Sequence, residues 1–443
     1  MSDVLAYIDQ ATFFSLRASG RAQLIQYVWL YDRPVDMAGV ERFHQNFGHG
    51  LAGRLIEPSA LPFGRHRWVA AKGPAAPLDV AEIRSPSDLG AWIEERSQLR
   101  IDPVRGPGWH LGVLPMTDGA TAVSLVVSHC LLDGGASVRA IIDAVNGNLR
   151  DFGYRPPRSR TKLAALASDG RQVIRDLPEA ARTAVMAAKL IHRSRSANSS
   201  AEMSGPPSAA HRNVDPVVLP AVSALVDTCD WDRRAGDLGG TTYSMLSGFA
   251  ALLGERLGRA RPADGAVRLL IAISDRAGDA DQRGNAMKIA SVPVDPAPLK
   301  TDLTAARSEV REALTALRGK VDEKHALLPI TPFIPARAFR QASALLFGEL
   351  AVSCSNLGQL APEFVRADGT DAAFFAIRPI DQGVTRGALE QAGGQLVVVA
   401  GRVAETISIS VVGYEVGADN SREWLADNVV QTLTDLGLKG TII

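Results

Sequence analysis

The sequence predicts a mixed α/β fold, an α+β sandwich divided into two domains. The chain has 443 residues, which exceeds one ordinary hydrophobic core and is enough for two domains of about 200 residues each. Both halves mix alternating, β-branched segments with segments of helical periodicity. A stretch rich in Ser, Ala, Gly and Pro separates the halves. We therefore expect one domain at residues 1–154, a basic helical linker and mobile loop at 155–213, and a second domain at 214–443.

The overall composition is that of a soluble globular protein. Apolar residues make up 46% of the chain and charged residues 22%, both ordinary values for a globular domain. The 48 Lys and Arg residues balance the 48 Asp and Glu residues. Binding of nucleic acid requires a basic surface, so the net charge gives no reason to expect nucleic acid as a partner.

Cysteine content gives no sign of a disulfide framework or of a metal site. The three cysteines, Cys130, Cys229 and Cys354, are too few and too widely spaced for either. The amino terminus has neither the basic start nor the apolar core of a signal peptide. No apolar run approaches the length of a membrane span. We expect a metal-free protein of the reducing cytoplasm.

In the first half, residues 121–149 predict a strand, a tight loop and a helix in that order. The alternation from Thr121 to Ser128 is typical of a strand, and apolar residues from Val138 to Leu149 recur at helical spacing. Upstream, residues 35–55 predict a helix. A bend rich in Pro and Gly at 102–109 leads into a strand at 110–115.

The segment 155–195 is strongly basic. It contains ten Lys or Arg residues against three Asp or Glu residues, an excess of seven positive charges. Pro178 favours the start of a second helix within it, and the composition from Ser194 to Ala210 predicts a mobile loop. Such a segment is most often a solvated tether. A contact with an anionic membrane surface or an acidic carrier protein is the alternative.

The second half again predicts strands and helices. Residues 241–257 and 303–317 have helical periodicity, and residues 267–274 form a buried strand pattern. Residues 395–400 and 406–412 predict a hairpin. Asn420 and Glu423 have the spacing of a capping box that begins the last helix.

One short motif carries chemistry: His129, Asp133 and Gly134 fit a His-x-x-x-Asp-Gly pattern in the loop between strand and helix. An imidazole titrates near neutrality and can take the proton of a hydroxyl or amine that attacks a carbonyl. A lone histidine at a strand end is usually structural, but this ordered context favours catalysis. Because successive side chains along a strand point to opposite faces, we expect Cys130 to face away from His129, which argues against a Cys/His nucleophile pair. Ser355 lacks the G-x-S-x-G elbow of a hydrolase.

Residues 123–138 resemble the active-site region of the chloramphenicol acetyltransferase-like superfamily, which includes nonribosomal peptide condensation domains and bacterial wax ester synthase/diacylglycerol acyltransferases. Further segments resemble the wax ester synthase branch, in the same order along the chain: Asp9-Gln10, Asp102-Pro103 with Pro107 and Trp109, Gly284-Asn285 after Arg276, and Ser355-Asn356-Leu357-Gly358. Many members have two adjacent histidines in the motif. Ser128 stands at the first of these positions, and His129 at the second, catalytic one.

The resemblance implies two similar α/β domains arranged as a V, with a tunnel between them. The catalytic residue would be His129. Asp133 and Gly134 would shape its loop, with Arg276 as the partner of Asp133. The candidate tunnel-lining residues are Ser128, Gly135, Asn285, Ser355 and Asn356.

The function expected from this resemblance is acyl transfer without a bound cofactor. The donor would be an acyl thioester on coenzyme A or on the phosphopantetheine of an acyl carrier protein. The acceptor would be a small-molecule or lipid alcohol or amine that attacks the thioester directly in a ternary complex. A freestanding condensation enzyme of the nonribosomal peptide type, which uses carrier-bound acyl groups in natural-product assembly, is the second hypothesis. A non-catalytic scaffold that keeps the fold is the third.

Overall fold

The computed structural model describes residues 3–197, 215–318, 325–334 and 350–443. Helices and strands alternate in both halves, as the periodicity predicts. The elements up to residue 197 are α1 (Tyr7–Ser19), β1 (Ala22–Tyr31), α2 (Met37–Phe47), β2 (Arg54–Glu57), β3 (Arg67–Ala70), β4 (Asp79–Val80), α3 (Leu89–Ser97), β5 (Trp109–Pro115), β6 (Thr121–Ser128), α4 (Gly134–Val145) and α5 (Lys162–Ala197).

The second half has the same mixed character. Short 3-10 segments at His325–Phe333 and Pro362–Val365 accompany its helices and strands. The elements after residue 214 are β7 (Ala221–Asp227), α6 (Thr228–Asp237), α7 (Thr242–Arg256), β8 (Val267–Ser274), β9 (Met287–Val294), α8 (Thr304–Arg318), β10 (Val352–Gln359), β11 (Phe374–Gln382), α9 (Arg386–Gln391), β12 (Gln395–Val403), β13 (Thr406–Tyr414), α10 (Arg422–Asp435) and β14 (Thr441–Ile442).

The first sheet has the strand order β11-β1-β6-β5-β4. All eight residues of β6 are buried, because β6 lies inside the sheet and pairs antiparallel with both β1 and β5. Aromatic and aliphatic side chains on one face pack against α2 and α4. This packing stabilises the end of β6, where the His-x-x-x-Asp-Gly motif begins.

The second sheet has the strand order β14-β7-β13-β12-β10-β8-β9. The predicted hairpin is confirmed, since β12 and β13 pair antiparallel from Gln395 with Tyr414 to Val403 with Thr406. Helices α7, α8 and α10 contribute buried apolar residues to the same core as this sheet. The mixed α/β architecture predicted from the sequence is therefore confirmed.

One strand from the second half completes the first sheet. Strand β11 pairs antiparallel with β1 over nine residues, from Ala22 with Gln382 to Leu30 with Phe374. Phe375 and Ile377 of β11 are buried in the core of the first half. Strand β11 thus lies beyond the boundary expected at 213 and yet belongs to the first sheet.

Two local predictions were wrong at helix ends. The helix expected at residues 35–55 ends at Phe47, and Arg54 begins a strand instead. The last helix is capped by Ser421, whose hydroxyl accepts from the Trp424 amide at 3.1 Å. Asn420 has a φ of 55°, and its side-chain amide accepts from the Glu415 backbone N–H and donates to the Glu415 carbonyl, both at 2.8 Å. Because Asn420 closes this turn, it does not serve as the cap.

The basic segment is largely one helix, α5. Pro178 lies inside this helix rather than at the start of a new one. The proline ring is exposed. Because proline has no backbone N–H, the carbonyl one turn earlier in the helix lacks a donor, and water can hydrate it instead. The loop expected from Ser194 to Ala210 falls mainly outside the described residues. No helix within the described ranges combines the length and apolar character needed to cross a bilayer.

Candidate active site

His129 follows directly after the last residue of β6 and is half-buried. Its backbone N–H donates to the carbonyl of Gln23 at 3.0 Å, which extends the pairing with β1 by one residue. The side chain therefore projects from the end of a rigid, buried strand. A base in this position keeps its orientation without a contribution from a mobile loop.

Asn285, which is fully buried, fixes the tautomer of His129. Its Nδ2 group donates to Asp9 Oδ1 and to the backbone carbonyl of His129, both at 3.1 Å. Because both partners accept, the amide oxygen must be the atom that faces His129 Nδ1 at 3.0 Å. A carbonyl oxygen can only accept, so Nδ1 carries the proton and Nε2 keeps its lone pair. Nε2 is thus available as the basic nitrogen.

Asp9 holds Asn285 in place. Its carboxylate accepts the backbone N–H of Asn285 at 2.6 Å and that of Gly284 at 3.2 Å. Complete burial raises the pKa of Asp9 to about 6, although the charge of Arg54 and these hydrogen bonds oppose the shift. Arg54 is itself buried and stacks on Trp68, with its guanidinium carbon 3.7 Å from the ring centroid. Sequence reasoning missed this role, because no local pattern links residue 9 to residue 285.

Asp133 joins the His129 loop to the second half of the chain. It is the N-cap of α4, and its Oδ1 accepts from the amide of Ala136 at 2.7 Å. The same oxygen accepts from Arg276 Nη2 at 2.9 Å, and Oδ2 accepts from the amide of Ala286 at 2.7 Å. The Asp133 amide donates to the carbonyl of Gly284 at 2.8 Å. The structure thus brings Asp133 and Arg276 together as an ion pair within a larger network.

Two glycines permit the close approach of these segments. A Cβ at Gly134 would lie 2.9 Å from Leu357, and a Cβ at Gly284 would lie 2.6 Å from the carbonyl oxygen of Leu131. A side chain at Gly284 would collide with backbone and push the two segments apart, whereas one at Gly134 would displace the Leu357 side chain. Gly135 is exposed, and a Cβ there would have only an ordinary contact with Asp133.

The remaining predicted site residues make local contacts. Ser128 is buried, and its hydroxyl accepts from the amide of Cys130 at 3.3 Å. Ser355 and Asn356 are half-buried on β10. Asn356 Oδ1 accepts from the amide of Gly358 at 2.8 Å, so this side chain shapes its own turn.

Comparison with known proteins shows the fold. No protein-family model matches the sequence, and no curated protein matches it by sequence. Solved structures match over almost the whole chain. The first condensation domain of the CDA synthetase matches with a TM-score of 0.57 at 13% identity, covering 98% of this chain and 96% of that one. The wax ester synthase/diacylglycerol acyltransferase from Marinobacter aquaeolei VT8 matches with a TM-score of 0.56 at 13% identity, covering 98% of both chains.

The protein has a condensation-domain fold. A third structure, the starter condensation domain of rhizomide synthetase RzmA in complex with C8-CoA, matches with a TM-score of 0.51 at 14% identity, covering 99% of this chain and 95% of that one. The chloramphenicol acetyltransferase-like fold predicted from the sequence is therefore confirmed. Identities at this level establish the fold alone.

Within this condensation-domain fold, Cys130 is not a thiolate nucleophile. Burial raises the pKa of its thiol to about 12, so the thiol stays protonated at neutral pH. The alternation expected along the strand agrees with this, since Cys130 is buried while His129 is half-exposed.

A further carboxyl lies near His129 and was missed from the sequence. Asp381, at the end of β11, pairs in register with Gln23, whose carbonyl accepts from the amide of His129. Its carboxylate accepts from Gln395 Nε2. Burial raises the pKa of Asp381, while the hydrogen bond from Gln395 and the charge of Arg21 oppose this effect.

Among the described residues, no group of three or more His, Cys, Asp or Glu side chains is placed to hold a metal ion. A cavity of about 150 Å³ lies between α3, β11 and β7, and none of the predicted site residues lines it.

Proposed function

We propose that the protein is an acyltransferase in which His129 is the general base. The observation that carries the proposal is the hydrogen-bond chain from Asp9 through Asn285 to Nδ1 of His129. This chain keeps the proton on Nδ1 and leaves Nε2 free to accept one. A purely structural histidine at a strand end has no need of a buried amide that selects its tautomer.

The proposed reaction is direct attack on an acyl thioester. The hydroxyl or amine of the acceptor forms a bond to the thioester carbonyl carbon as Nε2 of His129 takes its proton. Collapse of the tetrahedral intermediate breaks the carbon–sulfur bond, and the imidazolium returns the proton to the departing thiolate. The backbone amides of Gly134 and Gly135, at the start of α4, are our candidates for stabilising the oxyanion. Asp133, Gly134 and Arg276 position the His129 loop.

The donor proposed is an acyl group on coenzyme A or on an acyl carrier protein. The fold supports this proposal, and one structure of the same fold was determined with C8-CoA bound. The acceptor would be a small-molecule or lipid alcohol or amine. We propose that the two halves, 1–154 and 214–443, form a V whose tunnel carries both substrates to His129, lined by Gly135, Ser355 and Asn356 together with Ser128 and Asn285.

Thiol release separates the three functional hypotheses. The protein would be incubated with a panel of acyl-coenzyme A donors and acceptor alcohols and amines, and then with acyl carrier proteins. Release from coenzyme A supports the acyltransferase, and release from carrier protein alone supports a freestanding condensation enzyme. The His129→Ala variant is the control for both. Acyl ligand binding without thiol release from any donor would identify a scaffold and contradict the proposal.

A further inference from the structure

Helix α5 is held on the first half of the protein by one face. Asp176 forms a bidentate ion pair with Arg65, at 2.8 and 2.9 Å. Asp169 accepts from Arg67 and Arg160 at 3.1 and 2.8 Å. These buried carboxylates prevent the helix from rotating about its axis, so the same surface of α5 always faces outwards.

The exposed surface of the helix has a row of large apolar residues beside the buried face, centred about 120° from the two carboxylates. Their positions along the helix place them within about 100° of one another and over a length of about 33 Å. They account for five of the fourteen large apolar residues that are exposed in the described part of the chain. With their exposed fractions, they are Leu163 (80%), Leu166 (45%), Ile174 (68%), Leu177 (48%) and Val185 (57%).

Basic side chains border this row along one edge. We define the outer face of α5 as the five apolar residues together with four exposed bases, Arg171, Arg175, Arg182 and Lys189. At 100° per residue all four bases lie next to the apolar row, on the same side of it. Among the described residues, no carboxylate lies within 4.0 Å of any of these four side chains. Arg160, by contrast, is paired with Glu57 and Asp169.

We propose that the outer face of α5 docks on an anionic lipid surface. The four bases alone would equally suit an acidic protein. Five exposed aliphatic side chains in one row favour lipid, because a helix lying in the membrane interface buries such side chains among the acyl chains while its bases bind lipid phosphates. The proposal goes beyond acyl transfer. Its test measures binding only, so its failure would leave the proposed reaction intact.

Vesicle co-sedimentation tests the proposal. The full-length protein should bind vesicles of equimolar phosphatidylglycerol and phosphatidylcholine, bind phosphatidylcholine vesicles weakly, and dissociate as salt is raised. The apolar variant Ile174→Gln/Leu177→Gln should bind at least about ten-fold more weakly, as should the charge variant Arg171→Gln/Arg175→Gln/Arg182→Gln/Lys189→Gln. The matched control is Val430→Gln/Arg311→Gln, which changes an exposed valine and an exposed arginine on α10 and α8. It should bind like the wild type.

Other occupants of this face would give different results. If the wild type is a dimer by light scattering, becomes a monomer in the apolar variant and ignores vesicles, the face joins two copies of the chain. If both variants lose binding to an acidic acyl carrier protein and retain vesicle binding, the face recognises protein. Either result overturns the proposal, as does vesicle binding that is unchanged in the apolar variant.

A fluorescent label gives a second, independent measurement. Cys229 is the exposed cysteine, and Cys130 and Cys354 are buried, so Cys229→Ser provides a background for labelling. An environment-sensitive dye on Ile174→Cys should shift to the blue when anionic vesicles are added. The same dye on Val430→Cys should not. An unshifted dye at position 174 contradicts insertion of the outer face.

Discussion

Asn285 accepts a hydrogen bond from Nδ1 of His129 at 3.0 Å and donates one from its own Nδ2 to Asp9 at 3.1 Å. Asp9 and His129 lie near the two ends of the first half of the chain, and Asn285 lies in the second half. Because Asn285 also donates to the backbone carbonyl of His129, its amide cannot flip without losing two hydrogen bonds. The orientation of the imidazole therefore depends on contact between the two halves of the chain.

The first prediction concerns the base itself. His129→Ala should keep the fold, because the side chain is half-buried, and should lower turnover by at least about two orders of magnitude, as expected for loss of a general base. Steady-state rates and circular dichroism check both expectations. His49→Ala, another half-buried histidine outside the site, is the matched control and should turn over normally. Wild-type turnover by folded His129→Ala would remove the assignment.

The second prediction assigns Asn285 a positioning role that acts through His129. Asn285→Ala should reduce kcat by about ten-fold or more and change the pH profile of kcat/KM, because the imidazole loses its fixed tautomer. In the His129→Ala background the same change should cost no further activity, since residues that act as a unit are not additive. Asn428→Ala, at a half-buried asparagine on α10 that donates to the Trp424 carbonyl, is the control. Additive losses would show that Asn285 acts independently of the base.

The third prediction concerns the ion pair between Asp133 and Arg276. Asp133→Asn should lower the free energy of unfolding by about 3 kcal/mol, because it leaves a largely buried guanidinium without its charge partner. Arg276→Ala should have a similar effect, and the double variant should lose less than the sum of the two. A cycle on Asp230 and Arg233, an exposed pair three residues apart on α6, should give almost no coupling. Full additivity at Asp133 and Arg276 would mean that the pair does not stabilise the loop.

The parts of the structure that could be predicted from the sequence are those with a local signal. Strand β6 and helix α4 repeat apolar residues at their own periods, so the placement of His129 between them follows from a window of about 30 residues. The contacts of Asn285 with Asp9 have no such signal, because 276 positions separate the two residues. The same holds for β11, whose pairing with β1 depends on tertiary packing rather than on any pattern within either strand.

Helix ends were predicted less well for a similar reason. Asn420 and Ser421 both have side chains that cap helices, and only the tertiary turn at Glu415 decides between them. The pairing expected between Asp133 and Arg276 is present, but that expectation came from the resemblance of whole segments rather than from either residue alone.

The fourth prediction follows from the burial of Asp9, which raises its pKa to about 6 from an unfolded value near 3.8. A carboxyl with a raised pKa stabilises the fold fully below the unfolded pKa and loses this contribution as the pH rises through the folded pKa. Between about pH 4 and pH 7 the wild type should therefore lose on the order of 3 kcal/mol of unfolding free energy relative to Asp9→Asn, measured by urea unfolding at each pH.

Asp368→Asn is the control of opposite sign. Burial raises the pKa of Asp368, but hydrogen bonds from Thr370, the Asp36 amide and Arg33 outweigh burial and lower it, so the wild type should gain stability over that variant as the pH rises. If the unfolding free energies of the wild type and Asp9→Asn change in parallel between about pH 4 and pH 7, Asp9 does not titrate in this range.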